Sequence, residues 1–253
     1  MDRHDHELEQ AFDRQAAQFE RAPVQTDPTA LSRLVAFAAF PPDSRVLDAG
    51  CGPGLVAEAL LTAGLRVHGV DLSSEMVRRA RQRCSRFGDR ASFEQGSLLS
   101  QAPSEAFDGA ISRLVLHHLD DPLAFVRRQA ELVRPGGVVV ASDHTGDPEP
   151  GAARWHEEIE RWRDRTHVRN PSPGEIADLL ARAGLESIAL VEERFELDFD
   201  EWFDRGTPGR AKDEVRAVVL TGRARGYEPS QRPDGGVTVR CFRASVRGVK
   251  PGA

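Results

Sequence analysis

The chain has 253 residues, 40% of them hydrophobic and 29% charged, so it is long enough to bury a sizeable core and is unlike a disordered tail. Its formal net charge of −6 at pH 7 argues against a broad nucleic-acid-binding surface. No run of residues approaches the roughly 18 apolar positions of a membrane-spanning helix, and the charged residues 1–10 lack the apolar core of a signal peptide. These features predict a cytoplasmic protein that binds neither nucleic acid nor membrane.

In chain order, the apolar spacing first predicts two helices, at residues 8–19 and 28–40, joined by a proline-bearing loop. From residue 45 to 141, short apolar runs alternate with helical patterns, which is typical of βαβ units and a parallel sheet. The elements expected in this region are strands 46–49, 67–70, 91–95, 109–112 and 138–142, and helices 55–63, 74–87 and 122–133.

Beyond this region the pattern predicts two more helices and two long strands, namely helices 152–165 and 173–183 and strands 187–199 and 236–248. The stretch 200–227 between the two strands has a helical pattern that is broken by Gly206 and Gly209. No boundary between domains is evident, so we expect one doubly wound domain with helical additions.

The strongest local signal is a glycine loop at residues 50–54. A buried strand runs into Gly50, Gly52 and Gly54, and a helix follows directly. Glycines at such a turn allow the backbone to lie close against a ligand. Asp71, at the end of the second strand, is placed to accept hydrogen bonds from both hydroxyls of a ribose. The pattern indicates a nucleoside-containing cofactor, and the alternative is a tight strand-to-helix turn without a ligand.

The spacing of the glycines narrows the choice among nucleoside-containing cofactors. A dinucleotide site has the spacing G-x-G-x-x-G, which places a pyrophosphate at the helix N-terminus, whereas this loop has G-x-G-x-G. Asp48 lies two residues before the first glycine. A carboxylate there would repel a pyrophosphate, but it suits the ammonium group of an amino acid.

At this point the chain resembles the class I S-adenosylmethionine (SAM)-dependent methyltransferases. The residues that carry the resemblance are VLDAGCGPG at 46–54, VHGVDLS at 67–73, FDGAISRLVLHHLDDP at 107–122 and LVRPGG at 132–137. It extends over about residues 30–250 and is closest to the branch similar to ubiquinone/menaquinone methyltransferases (type 11). The sequence departs from the quinone-biosynthesis enzymes around 114–118 and after 146, so their substrate is not carried over.

The resemblance implies a Rossmann-like α/β fold, with a seven-stranded, mostly parallel sheet whose last strand is antiparallel. It implies one methyltransferase domain, residues 1–253, made of the following parts: an N-terminal helical lid (1–40), a SAM-binding core (41–145) and helical acceptor-site insertions (146–172 and 200–230). Residues 12–21 resemble the lid, with Phe19 where many relatives have a tyrosine.

The resemblance also implies the cofactor contacts. Asp71 would hold the ribose, and Ser97 stands where the family usually has an acid that contacts the adenine. The remaining residues are expected around the methionine moiety, the adenine or the adjoining loops: Asp48, Gly50, Cys51, Gly52, Gly54, Leu72, Met76, Gly96, Leu98 and Arg113. The buried cysteine in this set is expected to be a small filler, not a nucleophile.

The methyl group of SAM is already activated, so such an enzyme must mainly hold a nucleophile in line with it and exclude water. A hydroxyl or a protonated amine also needs a base. His117 and His118 follow the fourth strand at the carboxyl edge of the sheet, where α/β folds bind ligands. We favour His117 as the base, the alternative being that both histidines only hydrogen-bond the loop. Neither an H-x₃-H pair nor cysteine partners accompany them, so no metal site is predicted.

A second polar set could gather at the same edge. The expected substrate-binding residues are His144, Arg163, His167 and Arg169, which would hold an anionic or phenolic acceptor. The equally weighted alternative is an internal ion-pair network around Glu160 and Asp164. The aromatic residues Trp155, Trp162, Trp202 and Phe203 line the acceptor pocket or, as is more common for such spacing, belong to the core.

These residues predict a SAM-dependent methyltransferase that acts on an oxygen or nitrogen atom of a small metabolite, as a monomer or homodimer. The signature N/D-P-P-Y/F of several nucleic-acid and protein methyltransferases is absent after the fourth strand. The competing hypothesis is a relative that binds SAM but catalyses a non-methylating step, such as a cyclisation or decarboxylation.

Overall fold

An eight-stranded sheet forms the centre of the structure, a computed structural model that describes residues 3–101 and 107–252. The first two residues of the charged amino-terminal stretch and the last residue of the expected domain lie outside this part of the chain. The strands are β1 (Arg45–Ala49), β2 (Arg66–Asp71), β3 (Ala91–Gln95), β4 (Phe107–Arg113), β5 (Val133–His144), β6 (Glu186–Asp198), β7 (Glu228–Gln231) and β8 (Val237–Val249).

The strand order is β3-β2-β1-β4-β5-β8-β6, and β7 pairs with β8. Strands β1 to β5 pair in parallel, whereas β8 runs antiparallel to both β5 and β6. The predicted Rossmann-like sheet with an antiparallel last strand is therefore confirmed. The number of strands differs from the seven expected, because the four-residue β7 is too short and too polar to show a strand pattern.

Ten helices surround the sheet in the described residues. They are α1 (Arg3–Phe19), α2 (Pro23–Thr26), α3 (Pro28–Ala38), α4 (Leu55–Thr62), α5 (Ser74–Arg83), α6 (Pro122–Leu132), α7 (Pro150–Arg163), α8 (Pro173–Arg182), α9 (Phe199–Asp204) and α10 (Lys212–Val219). The helix expected at 74–87 ends at Arg83, and a 3-10 turn follows in which Gly88 has φ +58°. The expected helical stretch 200–227 is two short helices, α9 and α10.

The two faces of the sheet are covered by separate apolar layers. Leu31 of α3, Leu60 of α4 and Val77 of α5 pack in one layer, whereas Val126 of α6 and Ile176 of α8 pack in the other. The buried strands β1, β4 and β5 contribute to both layers, which explains their nearly continuous apolar sequence.

A third apolar cluster joins the two insertions beyond the carboxyl edge of the parallel strands. Ile159 of α7, Trp202 of α9 and Val215 of α10 pack there against the start of β8. Helices α7, α9 and α10 thus form one wall over this edge of the sheet. No described helix has the length and apolar character needed to cross a membrane.

Candidate active site

The glycine loop between β1 and α4 turns sharply at the carboxyl edge of the sheet. The amides of Gly50 and Cys51 both donate to the Val70 carbonyl, at 2.8 and 3.1 Å. Gly50 and Gly52 have φ values of +72° and +52°, which favour glycine. A Cβ added at Gly50 would lie 2.5 Å from Cγ2 of Val115, whereas one at Gly52 would meet open space. The loop backbone is therefore accessible to a ligand at Gly52.

Two carboxyl groups lie beside this loop. Asp71 accepts hydrogen bonds from the amides of Gly52 and Ser73, at 2.8 and 2.9 Å, and burial raises its pKa to about 6. Asp48 is 1% exposed, and its Oδ2 has no hydrogen-bond partner among the described residues. Burial, together with the charge of Asp71, raises the pKa of Asp48 to about 7. A cation bound here would stabilise both ionised groups.

A cavity of about 240 Å³ opens in front of the loop, and we call it the cofactor cavity. It brings together most of the residues expected to bind the cofactor: Gly50, Cys51, Gly52, Asp71, Leu72, Met76, Gly96, Ser97, Leu98 and Arg113. Asp48 and Gly54 do not line it. Asp48 is buried within β1, and Gly54 immediately precedes α4, where an added Cβ would lie 2.9 Å from Cα of Ala80. The structure therefore gives Gly54 a packing role between α4 and α5.

Helix α1 closes the outer side of the cofactor cavity, with Leu8, Phe12 and Phe19 in its wall. Asp13 fastens this helix to the first turn of α5, because it accepts hydrogen bonds from the Ser73 hydroxyl and from the Glu75 amide. Glu20 adds ion pairs to Arg79 and Arg83 of α5. The sequence of residues 12–21 resembles a lid, but no sequence pattern predicts these contacts.

A smaller chamber of about 40 Å³ adjoins the cofactor cavity, and we call it the acceptor chamber. Four residues line both spaces: Phe19, Gln25, Leu114 and His118. The other residues of the chamber are Val24, His117, His144, Glu160, Arg163, Asn170, Trp202 and Arg205. Both predicted catalytic histidines and two of the four predicted substrate-binding residues therefore meet beside the cofactor cavity.

His117 is paired with a buried carboxylate. Its Nδ1 lies 2.6 Å from Oδ1 of Asp143, and its backbone amide donates to Oδ2 of the same residue at 3.2 Å. Burial disfavours the charged imidazole, but the charge of Asp143 and this hydrogen bond raise the pKa of His117 above 6.5. The pairing places the proton on Nδ1, so Nε2 is left as the acceptor nitrogen.

His118 and His144 are in a different state. The Nδ1 of His118 lies 3.0 Å from the Thr166 carbonyl, which fixes the ring. Burial and the nearby charge of His117 lower the pKa of both His118 and His144 to about 3. Both are neutral at physiological pH, so among the three imidazoles of the chamber only His117 has a pKa suited to a general base.

Two hypotheses concern the residues of the insertion, which were expected either to bind the acceptor or to form an internal ion-pair network. Arg163 lines the chamber, and it also contacts Asp164, with 3.5 Å between Nη1 and Oδ2. His167 does not line the chamber, because its Nε2 lies 2.6 Å from the buried carboxylate of Glu157.

Arg169 also departs from the expectation. Its side chain is 57% exposed and pairs with Glu175 at the surface. An ion-pair network therefore holds this part of the insertion, and the prediction that Arg169 and His167 contact a substrate does not fit the structure. The Arg169 side chain lay beyond prediction because no periodic pattern fixes side-chain direction in an irregular segment.

Arg113 ends β4 beside the lid. Its Nη1 donates to the backbone carbonyl and to Oε1 of Gln25, at 3.3 and 3.2 Å. Burial, and next the charge of Arg243, lower the pKa of Arg113 to about 9, so it stays charged at neutral pH. It connects the cofactor cavity to α2, an element that the sequence did not predict.

Most of the candidate aromatic residues belong to the core. Trp155 packs edge-on against Tyr227, and Phe203 lies in the third apolar cluster. Trp162 carries the Arg210 guanidinium over its ring, with 4.4 Å to the ring centroid. Trp202 belongs to the third apolar cluster and also lines the acceptor chamber.

Asn170 and Arg205 are among the chamber residues that the sequence did not predict. Both are buried, at 4% and 6% exposure. The one available signal for Arg205 was the glycine that follows it, because Gly206 marks a close approach of two chain segments. A Cβ at Gly206 would lie 2.3 Å from the Arg163 carbonyl.

The cofactor cavity suits the cofactor that the sequence implied. SAM carries an ammonium and a sulfonium group, and two carboxyl groups flank the glycine loop: Asp71 in the cavity wall, and Asp48, which is buried outside the wall and has one unpartnered oxygen. Leu72, Met76 and Leu98 provide an apolar surface for a purine ring. Within residues 3–101 and 107–252, no group of three or more His, Cys, Asp or Glu side chains is arranged to hold a metal ion.

The fold and the two spaces define the class of protein: an α/β protein with a nucleoside-cofactor site at the carboxyl edge of its sheet and an adjoining chamber for a second reactant. Comparison with known proteins then identifies the family. A family model described as a methyltransferase domain matches residues 24–190. The chain belongs to the class I SAM-dependent methyltransferases, of the type 11 kind, and the cofactor of this family is SAM.

A curated relative is the ubiquinone biosynthesis O-methyltransferase of Cereibacter sphaeroides (strain ATCC 17025 / ATH 2.4.3), which is 32% identical over 153 residues. The match covers 57% of this chain and 61% of that protein, so the chain spans about three fifths of the length of this relative.

Two solved structures show the shared fold. A protein of Bacillus halodurans C-125 superposes with a TM-score of 0.80 over 88% of this chain and 99% of its own, at 22% identity. The [4+2]-cyclase SpnF superposes with a TM-score of 0.60 over 88% of this chain and 82% of its own, at 18% identity. At these identities the likeness concerns the fold alone.

Proposed function

We propose that the protein transfers a methyl group from SAM to an oxygen or nitrogen atom of a small phenolic or anionic acceptor. The observation that carries the proposal is the hydrogen-bonded pair of His117 and Asp143 in a chamber that adjoins the cofactor cavity. A base is useful for a hydroxyl or a protonated amine, whereas a nucleophile without a proton needs none.

The cofactor would supply an activated methyl group bound to a positively charged sulfur. The chain would hold it through the glycine loop, with Asp71 at the ribose and Asp48 near the amino-acid moiety. Helix α1 would cover it with Leu8, Phe12 and Phe19. Exclusion of water by this lid protects the methyl group from hydrolysis and strengthens the electrostatic interactions in the site.

The proton of the acceptor would go to Nε2 of His117. SAM would supply the methyl group with its sulfonium sulfur as the leaving group, so S-adenosylhomocysteine would be the second product and His117 would hold the proton that the acceptor gives up. Asp143 holds the proton on Nδ1 and stabilises the imidazolium that forms. The proton then leaves Nε2 to water when the product departs.

The curated relatives support oxygen as the accepting atom, because their name describes an O-methyltransferase. The ubiquinone biosynthesis in their name is not part of the proposal. The match with the Cereibacter sphaeroides relative covers 61% of that protein, so its substrate is not carried over to this chain.

The proposal can be tested with SAM that carries a trideuterated methyl group. The purified protein and an extract of the source cells would be incubated with this SAM. Mass spectrometry would then search for products that are three mass units heavier than the same products made with unlabelled SAM. We expect a labelled product with the wild type and a yield at least about 100-fold lower with His117→Gln. His68→Gln, a histidine on β2 away from both spaces, is the matched control and should keep the wild-type yield.

The outcomes separate the competing hypotheses. If calorimetry shows that SAM binds but no labelled product forms with any extract, the non-methylating hypothesis gains support. A protein with this fold is a [4+2]-cyclase, and a cyclisation is an example of such a step. A protein that binds no SAM would contradict both hypotheses.

A further inference from the structure

Two buried side chains of the acceptor chamber, which carry hydrogen-bond donors, have no role in the mechanism above. Nε and Nη1 of Arg205 have no hydrogen-bond partner among the described residues, and the same holds for Nδ2 of Asn170. Their residues are 6% and 4% exposed, and both line the chamber. An unpaired buried donor is unfavourable, and more so when the group is charged, so such groups are usually paired.

The charge of Arg205 is also poorly balanced by the protein. Burial, and next the charge of Arg163, lower its pKa to about 10, so it remains a cation at neutral pH. Glu160 and Glu201 act on it only through space, because neither forms a hydrogen bond with it in the described structure. By contrast, Arg163 donates to the Trp202 carbonyl and lies next to Asp164.

The acidic side chain that lines the chamber is Glu160, and it lies next to a histidine. Oε1 of Glu160 lies 3.4 Å from Nε2 of His156. Burial alone would raise the pKa of Glu160, but the nearby imidazole of His156 and the charges of His167 and Arg163 hold this pKa well below its usual range. Glu160 is therefore an anion that is stabilised by His156, His167 and Arg163. The guanidinium of Arg205 is left as the cation of the chamber that lacks a bonded anion.

We propose that Arg205 and Asn170 bind a carboxylate group on the acceptor, so that the substrates of this enzyme are carboxylate-bearing hydroxylated small molecules. This inference rests on the proposed function. Arginine presents donors in a planar fork that matches a carboxylate, and an amide NH₂ can donate to the same oxygens. A chamber of about 40 Å³ holds one small polar group, not a whole acceptor. The carboxylate would enter the chamber while the ring lies toward the cofactor cavity.

This arrangement also gives the chamber a role in specificity. His117 lines the same small space as Arg205 and Asn170, so the hydroxyl that is methylated would lie close to the carboxylate on the acceptor skeleton. An uncharged analogue would leave the guanidinium buried and unpaired, which is a strong basis for discrimination.

The test uses benzoate and benzamide as a matched pair of probes, which have the same shape but differ in charge. Their binding to the full chain saturated with S-adenosylhomocysteine would be measured by calorimetry, together with the chemical shift of the Arg205 Nε–H group by NMR. We expect benzoate to bind at least about tenfold more tightly than benzamide and to shift the Arg205 signal. The variant Arg205→Gln should abolish this preference, whereas Arg169→Gln, a surface arginine, should keep it.

A second variant covers the case in which Arg205→Gln fails to fold. Asn170→Asp changes one atom of the side chain and keeps the backbone hydrogen bond from Asn170 to Glu157. A carboxylate at this position should repel benzoate, and its affinity should fall at least about tenfold with benzamide unaffected. Equal affinities for the two probes in the wild type, or no change in either variant, would overturn the proposal.

The two experiments distinguish a failure of the carboxylate site from a failure of the proposed function. Benzoate binding is measured with S-adenosylhomocysteine and without SAM, so it can be detected even if no labelled product is found. Conversely, a labelled product that is uncharged at neutral pH and is not retained by an anion-exchange resin would contradict the carboxylate site while supporting methyl transfer.

Discussion

Cofactor binding should release protons from the two carboxyl groups beside the glycine loop. In the free protein, the pKa of Asp48 is about 7 and that of Asp71 is about 6. At pH 6, a group with a pKa of about 7 is about nine-tenths protonated and one with a pKa of about 6 is half protonated. A cationic cofactor favours the ionised forms, so its binding should lower both pKa values toward the ordinary value of 3.8. About 1.4 protons should therefore be released at pH 6, and about 0.1 at pH 8.

The same proton release determines how the affinity for SAM depends on pH. Since the bound state holds fewer protons than the free state, the affinity for SAM should increase as the pH rises from 5 to 8. The assay is calorimetric titration of SAM in buffers of different ionisation enthalpy, where the slope of the heat against that enthalpy counts the protons. Asp48→Asn should reduce the release at pH 6 to about half a proton, since Asp71 alone would titrate. Equal proton counts at pH 6 and pH 8 would refute the reasoning.

Three further substitutions test separate parts of the site. Gly50→Ala should weaken SAM binding at least about tenfold, because the added Cβ would meet Val115 and a positive φ costs about 1–2 kcal/mol for other residues; wild-type affinity by calorimetry would contradict this. Asp13→Ala should raise the rate of SAM dissociation several-fold in stopped-flow measurements, since it releases α1 from α5 at a cost of about 1 kcal/mol; an unchanged rate would mean that α1 is not a lid. Arg169→Ala should leave the KM for the acceptor unchanged and the free energy of unfolding within about 0.5 kcal/mol, because its ion pair with Glu175 is exposed; a large rise in KM would restore it to the substrate site.

The cofactor side of the molecule was predictable from the sequence because its signals are local. Strands that are buried on both faces have continuous apolar runs, and a loop with positive φ values needs glycine at fixed positions. Both kinds of signal are present between β1 and β2, so the fold, the loop and the place of Asp71 could be inferred. The short α2 and β7 were missed because four residues show no period.

The acceptor side was predictable only in part. The sheet topology brings the ends of β4 and β5 together, so His117 and His144 could be placed at one edge. Asn170 and Arg205 are 35 positions apart and meet only because α7 packs against α9, which no local pattern specifies. The same limit explains why His167 and Arg169 were assigned to the substrate, whereas the structure pairs them with Glu157 and Glu175.

The central claim is that His117, oriented by Asp143, removes the proton of the acceptor during methyl transfer. Its most direct test is the single-turnover rate of methyl transfer as a function of pH, for the wild type and for Asp143→Asn, with the acceptor found by the labelling experiment. The base must be neutral, so the wild-type rate should rise with pH through a midpoint above 6.5. Loss of the carboxylate should move this midpoint to lower pH and reduce the rate at high pH at least about tenfold. Identical midpoints and rates for the two proteins would contradict the claim.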